Sequence, residues 1–103
     1  MSKPQVKNGD IVFVAHPNCR NNGMVICPAI VMQQFNEDNP HLDTLCNLYV
    51  FVPFMTPQQV GSVTLLAHSR THEEVEADPL FVGCWSRDSV AAGAMGASLN
   101  AAA

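Results

Sequence analysis

The sequence predicts an all-β fold, a small five-stranded barrel or sandwich. Short runs rich in β-branched and aromatic residues alternate with stretches of Gly, Pro, Asn and Asp, which is the pattern of strands joined by turns. Apolar residues do not recur at helical spacing over any long segment, so no amphipathic helix is predicted. At 103 residues, the chain is long enough for one domain with a single modest core.

The longest apolar run, residues 44–52, is predicted to be the central strand and to end at Pro53. Side chains alternate across a strand, so one face carries only apolar residues and should lie in the core: Cys46, Leu48, Val50 and Val52. The other face is amphipathic and is predicted to stay partly exposed and to meet a partner: Leu45, Asn47, Tyr49 and Phe51.

The remaining strands are predicted on either side of this run, at Ile11–Ala15, Met24–Phe35, Ser62–Ser69 and Leu80–Trp85. Pro28 lacks a backbone donor, so it marks an edge position, a bulge or the true start of its strand. Gly83 indicates a bulge or a close approach of two backbones. Two prolines in residues 53–61 are expected to interrupt pairing, and the acidic residues 70–79 to form a loop or a single helical turn.

Three regions are distinguished: an N-terminal arm (1–8), the β-domain (9–88) and a C-terminal tail (89–103). The tail contains no charged residue, and its large apolar residues are Val90, Met95 and Leu99. Ordering its backbone costs roughly 12 kcal/mol, whereas burying these residues and the alanine methyls returns about 10 kcal/mol. We therefore expect the tail to be held by another protein.

Composition narrows the classes of partner. Hydrophobic residues make up 48% of the chain and charged residues only 14%, which fits a protein that covers much of its surface in an assembly. Because the net charge is −4 and the basic residues are scattered, nucleic-acid binding is not expected. No apolar run approaches the ~18 residues of a membrane span, and no secretory signal is visible, so we expect reduced thiols inside a cell.

Three groups of residues were considered for chemistry. His68 and His72 have the spacing of metal ligands on a helix, but they fall at a strand end and in a loop, so surface histidines are expected. Cys27, Cys46 and Cys84 are interpreted as small core residues.

The third group is Gly83-Cys84-Trp85, which superficially matches papain-like proteases. The rest of that signature is missing, and a reactive thiolate would need Arg87 or His16 as a nearby cation. We predict neither an enzyme nor a cofactor.

Aromatic residues offer another kind of site. Tyr49, Phe51 and Trp85 could line a groove for a peptide, as aromatic residues do in SH3 domains. In a chain with a single tryptophan, core filling is the stronger expectation for Trp85.

Four short segments carry a resemblance to a known class of proteins: residues 9–12 (GDIV), 27–31 (CPAIV), 45–48 (LCNL) and 83–86 (GCWS). With them the chain resembles the small SH3-like β-barrel proteins of tailed-bacteriophage virions, several of which decorate capsids. The resemblance implies an SH3-like five-stranded barrel with an extended N-terminal arm and a C-terminal tail, located in the virion capsid and assembled in the host cytoplasm.

The leading hypothesis is therefore a non-enzymatic head decoration or cement protein that binds the major capsid protein or other virion proteins, or its own copies, but neither nucleic acid nor membrane. The expected anchors are Tyr49, Phe51, Val90, Met95 and Leu99. One alternative is an intracellular SH3-like peptide-binding module that uses Tyr49, Phe51 and Trp85. Another is a small metal- or thiol-dependent enzyme built on His68, His72 and Cys84.

Overall fold

The computed structural model describes residues 5–20 and 24–92, which form a mostly β domain with few helices. Five antiparallel strands make one sheet that curls into a half-barrel, in the order β4-β3-β2-β1-β5. The strands are β1 (Ile11–Ala15), β2 (Cys27–Phe35), β3 (Leu45–Val50), β4 (Gln58–Thr64) and β5 (Gly83–Ser86). Two short helices, α1 (His72–Glu76) and α2 (Arg87–Ala92), flank β5. The predicted all-β class is confirmed at this level.

The two faces of β3 point to the core and to the outside as the alternation of its side chains predicted. The apolar face lies in the core, with exposed fractions between 0% and 5% for Cys46, Leu48, Val50 and Val52. The position of this strand is different from the prediction, however. The centre of the sheet is β2, which pairs with β1 and with β3, while β3 lies second from the edge. Strand order depends on pairing between distant segments, which hydrophobicity along the chain does not report.

The predicted fourth strand was wrong by several residues, because β4 spans Gln58–Thr64 and begins inside the segment expected to be irregular. The two prolines of this segment lie before the strand, so they do not interrupt it. Pro53 lies in the turn after β3, and Pro57 directly precedes Gln58, so neither removes a donor from the β3–β4 ladder.

Two other strand starts also differ from the prediction. Strand β2 begins at Cys27, so Pro28 lies next to the true strand start, one of the three positions considered for it. Strand β5 begins at Gly83, and the residues before it form a turn in which the Phe81 amide donates to the Asp78 carbonyl (3.0 Å). Space at Gly83 is limited by side chains and not, as the sequence suggested, by a second backbone: a Cβ placed there would lie 2.6 Å from Leu66 Cδ1.

Register shifts modify both ladders of β3. In the β2–β3 ladder, the shift falls between Val31 and Gln33, so Met32 is the additional residue, and its side chain is 58% exposed. In the β3–β4 ladder, Asn47 lies opposite two residues, Gly61 and Ser62. The Ser62 amide donates to Asn47 Oδ1 (3.1 Å) and the Ser62 backbone has φ 56°. The Asn47 side chain therefore supports the bulge.

Residues after β4 close the half-barrel onto β5. Leu65 forms a parallel bridge with Cys84, and the Leu66 amide donates to the Cys84 carbonyl (2.8 Å). The main core lies inside this curve and consists largely of valines, with the four cysteines and Leu48. Val6, in the predicted arm, is 4% exposed and belongs to this core, whereas Met1–Pro4 lie outside the described residues.

A second, smaller core lies where α1 covers the sheet, around Trp85, Val75 and Ile26. Helix α1 is the single helical turn that was one expectation for residues 70–79, and it begins with a capping box between Thr71 and Glu74. The end of α1 is bound from the β1–β2 connection, since Arg20 Nη2 donates to the carbonyl of Val75 in the helix (3.1 Å) and to that of Asp78, two residues beyond it (3.0 Å). Arg20 thus joins two distant segments around the second core.

Candidate docking surface on the outer face of the sheet

The structure brings Tyr49 and Phe51 together on the outer face of the sheet. Their ring centroids are 5.8 Å apart with an interplanar angle of 89°, which is the favourable edge-to-face arrangement. The chain around Phe51 is fixed, because its amide donates to the Pro28 carbonyl (2.9 Å). Phe51 nevertheless remains 39% exposed. Two of the anchors expected from the sequence therefore form one aromatic pair on the surface.

A groove with a volume of about 470 Å³ runs beside Tyr49 across β2, β3 and β4. We call it the sheet groove; its lining includes Met32, Gln33, Asn47, Tyr49, Gln59 and Gly61. None of these side chains is a carboxylate or a cation. Sequence reasoning missed the contributions of β2 and β4, because the bulges that turn Gln33 outward beside Met32 and set Gly61 beside Asn47 interrupt the alternating pattern.

The turn after β3, residues 52–55, carries the most exposed large apolar side chain among the residues that the structure describes. The Met55 amide donates to the Val52 carbonyl (3.2 Å), and Pro53 and Phe54 are the two central residues. Phe54 is 92% exposed and its backbone has φ 61°, a conformation that favours glycine at this position of a turn. Met55 beside it is 47% exposed.

The segment that forms β3, the turn and β4 carries no charged side chain. No Asp, Glu, Lys or Arg occurs between Thr44 and Ser69, a segment that includes β3, the turn and β4. The acidic residues lie elsewhere, mainly in the β2–β3 connection and around α1: Glu37, Asp38, Asp43, Glu73, Glu74, Glu76 and Asp78. The strands β3 and β4 and the turn that joins them therefore contribute nothing to the net charge of −4.

The histidines considered as metal ligands take separate structural positions. His72 is the first residue of α1, with Nε2 4.0 Å from Glu76 Oε2, and its side chain is 30% exposed. The His68 carbonyl accepts a hydrogen bond from Trp85 Nε1 (2.6 Å). Within residues 5–20 and 24–92, no three His, Cys, Asp or Glu side chains are grouped so that they could hold a metal ion.

All four cysteines are buried free thiols. The Cys27 thiol donates to the Cys19 carbonyl (3.2 Å), and burial, followed by the nearby Cys19, raises the pKa of Cys27 to about 11. The hydrogen bond with Cys46, together with burial, holds the pKa of Cys84 far above the ordinary thiol range. In that pair the pKa of Cys46 is lowered, since its sulfur accepts from Cys84.

The predicted core role of these cysteines is confirmed, and Cys84 is protonated at neutral pH. Neither His16 nor Arg87, the two cations suggested by the sequence, makes Cys84 a thiolate. Burial lowers the pKa of His16, so this side chain is mostly uncharged at pH 7, and Arg87 is not among the causes that shift the pKa of Cys84. The geometry therefore does not provide a thiolate nucleophile at Cys84.

Trp85 fills the second core, as expected for a single tryptophan. Its side chain is 0% exposed, and its ring stacks on Phe81 with centroids 5.7 Å apart and an interplanar angle of 20°. The Arg70 guanidinium carbon lies 3.9 Å from the Phe81 centroid on this stack. The hypothesis that Trp85 lines a surface groove with Tyr49 and Phe51 was wrong, because the ring is enclosed.

The remaining expected anchors are on the C-terminal segment. Val90 belongs to α2, although its side chain is not described, and Met95 and Leu99 lie outside the described residues.

Comparisons with known protein families, with curated proteins and with solved structures gave no match. In the part of the chain that the structure describes, no helix is long and apolar enough to cross a membrane.

Proposed function

We propose that this chain is a non-enzymatic structural protein of a tailed-phage virion, a decoration or cement protein that binds the lattice of the major capsid protein. The observation that carries the proposal is the uncharged outer face, where the Tyr49–Phe51 pair, the sheet groove and Phe54 remain accessible although the core below is fully packed. An SH3-like barrel is part of the proposal, and the curled five-stranded antiparallel sheet agrees with it at a coarser level.

The size of this face indicates how it would act. A stable protein interface covers about 800 Å² on each partner. Three strands spaced about 4.8 Å apart and about 20 Å long present roughly 300 Å². The sheet therefore needs additional contacts, which the proposal assigns to the N-terminal arm and to Val90, Met95 and Leu99. Several weak contacts on one rigid domain act together, because each raises the effective concentration of the others.

The proposal is tested by cosedimentation with empty heads assembled from the major capsid protein of the phage that encodes the chain. We expect saturable binding, and we expect a chain ending at residue 92, which keeps α2 whole, to retain its fold while it binds more weakly. Retention of the fold is measured by the fluorescence of Trp85, the single tryptophan, which is fully buried. Absence of saturable binding by the full chain would contradict the proposal.

A peptide-binding module is the second candidate, and the sheet groove beside Tyr49 is the observation that favours it. Burial of Trp85 counts against it, because the aromatic lining then consists of Tyr49 with Phe51 at its side. This function predicts saturable, micromolar shifts of the Tyr49 and Asn47 NMR signals when proline-rich peptides are added. Unchanged spectra at millimolar peptide would exclude it.

A further inference from the structure

Phe54 occupies a position that does not serve the stability of its own domain. An aromatic residue with φ 61° is held in the left-handed region, where its Cβ crowds the following carbonyl. With 92% of its surface exposed, Phe54 gains almost no burial in return. Bulky residues with a strained backbone occur mainly at sites that bind ligands or partners. The left-handed backbone and the high exposure of Phe54 together therefore indicate a binding role.

The turn presents Phe54 on a rigid support. Val52 is 5% exposed and belongs to the main core, so the turn begins at a fixed point. Pro53 restricts the next residue, and the hydrogen bond from the Met55 amide to the Val52 carbonyl closes the turn. Because the ring projects from a preformed turn, little conformational entropy remains to be lost when a partner encloses it.

The surroundings of Phe54 define the chemistry of that partner. Its nearest exposed neighbours in the chain are Phe51 and Met55, and no charged residue occurs between Thr44 and Ser69. A cationic or anionic partner surface would find no charge here to pair with, and would lose its hydration on contact. The turn fits an uncharged, apolar pocket.

We propose that Phe54 is inserted into an apolar, uncharged pocket of the major capsid protein and is the principal anchor of the domain on the capsid. This inference rests on the function proposed above and specifies the contact that produces it. Tyr49 and the sheet groove lie on the adjoining face and add the surrounding contacts. The anchor is a single exposed aromatic ring, with exposed Met55 next to it in the chain, and a buried aromatic anchor is a common interface hot spot.

The experiment measures binding of the full chain and its variants to the same empty heads. Phe54→Asn removes the ring and retains a residue that tolerates the left-handed conformation. It should weaken binding at least about 30-fold, corresponding to the ~2 kcal/mol that marks a hot spot. Phe54→Leu, which stays apolar, should retain more of the affinity than Phe54→Asn.

Leu42→Asn is the matched control, because Leu42 is also a large exposed side chain (51%) in a connection, but lies before β3 and so at the opposite end of that strand. Its affinity should remain within about twofold of the unmodified chain, as for a residue outside the interface. Unfolding in urea is measured for every variant, so that loss of binding is compared only between folded proteins.

The other outcomes separate the two proposals. If the unmodified chain binds heads and Phe54→Asn binds equally well, the anchor is wrong and the capsid function stands. If the unmodified chain does not bind heads, both proposals fail. Sedimentation of the free chain and of phosphatidylcholine vesicles completes the design: self-association or vesicle binding that is lost in Phe54→Asn would show that a second copy or a lipid surface receives the ring, and would overturn the capsid pocket.

Discussion

Phe54→Asn should stabilise the isolated domain, although it removes a large apolar side chain. Since 92% of Phe54 is exposed, only the remaining 8% is buried. For a ring of about 200 Å², that is about 16 Å² and a loss of ~0.4 kcal/mol at 25 cal/mol per Å². Relief of the left-handed conformation returns about 1–2 kcal/mol, of which Asn recovers a large part. The expected net gain is ~1 kcal/mol in the free energy of unfolding.

The assay is urea unfolding followed by the fluorescence of Trp85, together with thermal unfolding. A gain of ~1 kcal/mol corresponds to a rise in Tm of roughly 4–8 °C for a domain of this size. Phe51→Asn is the matched control, since Phe51 is three residues away, 39% exposed and paired with Tyr49. Burying the other 61% of its ring contributes about 3 kcal/mol, so this variant should be destabilised.

The opposite signs of these two neighbouring substitutions are the critical result. A loss of 1 kcal/mol or more in Phe54→Asn would show that the ring packs against its own domain, and the reasoning about an idle, strained side chain would be refuted. The same change is expected to weaken capsid binding, so stability and binding should move in opposite directions for this one residue.

Three further predictions concern the cores. Gly83→Ala should lower the free energy of unfolding by about 1–3 kcal/mol, because its Cβ would meet Leu66 Cδ1 at 2.6 Å; an unchanged urea midpoint would contradict this. Thr44→Val should raise the free energy of unfolding by about 1 kcal/mol, since the buried Thr44 hydroxyl has no hydrogen-bond partner among the residues that the structure describes, and a loss would show that it has one. Finally, the pKa of Cys27 is about 11 in the folded chain, against 9.0 for an exposed thiol. The folded state is therefore stabilised below pH 9, and this stabilisation is lost as the pH rises through 11. Between pH 8 and pH 11 the unmodified chain should lose about 2–3 kcal/mol more than Cys27→Ala in urea titrations, and equal losses would contradict this.

The sequence predicted the features that depend on local alternation. The bounds of β1, the core face of β3, the burial of Trp85 and the exposed aromatic pair of Tyr49 and Phe51 are all present in the structure. Each follows from the period of two along a strand or from the size of a single aromatic side chain. These features also supplied the starting point for the docking surface.

Features that depend on pairing between strands were not predictable in the same way. The shift of β4 and the outward position of Gln33 beside Met32 come from bulges, where one additional residue reverses the alternation beyond it. The place of β2 at the centre of the sheet depends on contacts between distant segments. A signal for the β3–β4 turn was available, because Pro53 followed by two large apolar residues is an unusual turn sequence.

The most direct measurement of the proposed function is the copy number of this chain in density-purified virus particles from the source of the sequence, determined by quantitative mass spectrometry. If the chain is a decoration protein anchored on the capsid lattice, its amount relative to the major capsid protein is fixed and reproducible between preparations. In particles grown with the Phe54→Asn chain, that ratio should fall sharply, while the Leu42→Asn chain should be retained. Particles that contain no copies of the unmodified chain would contradict the proposed function.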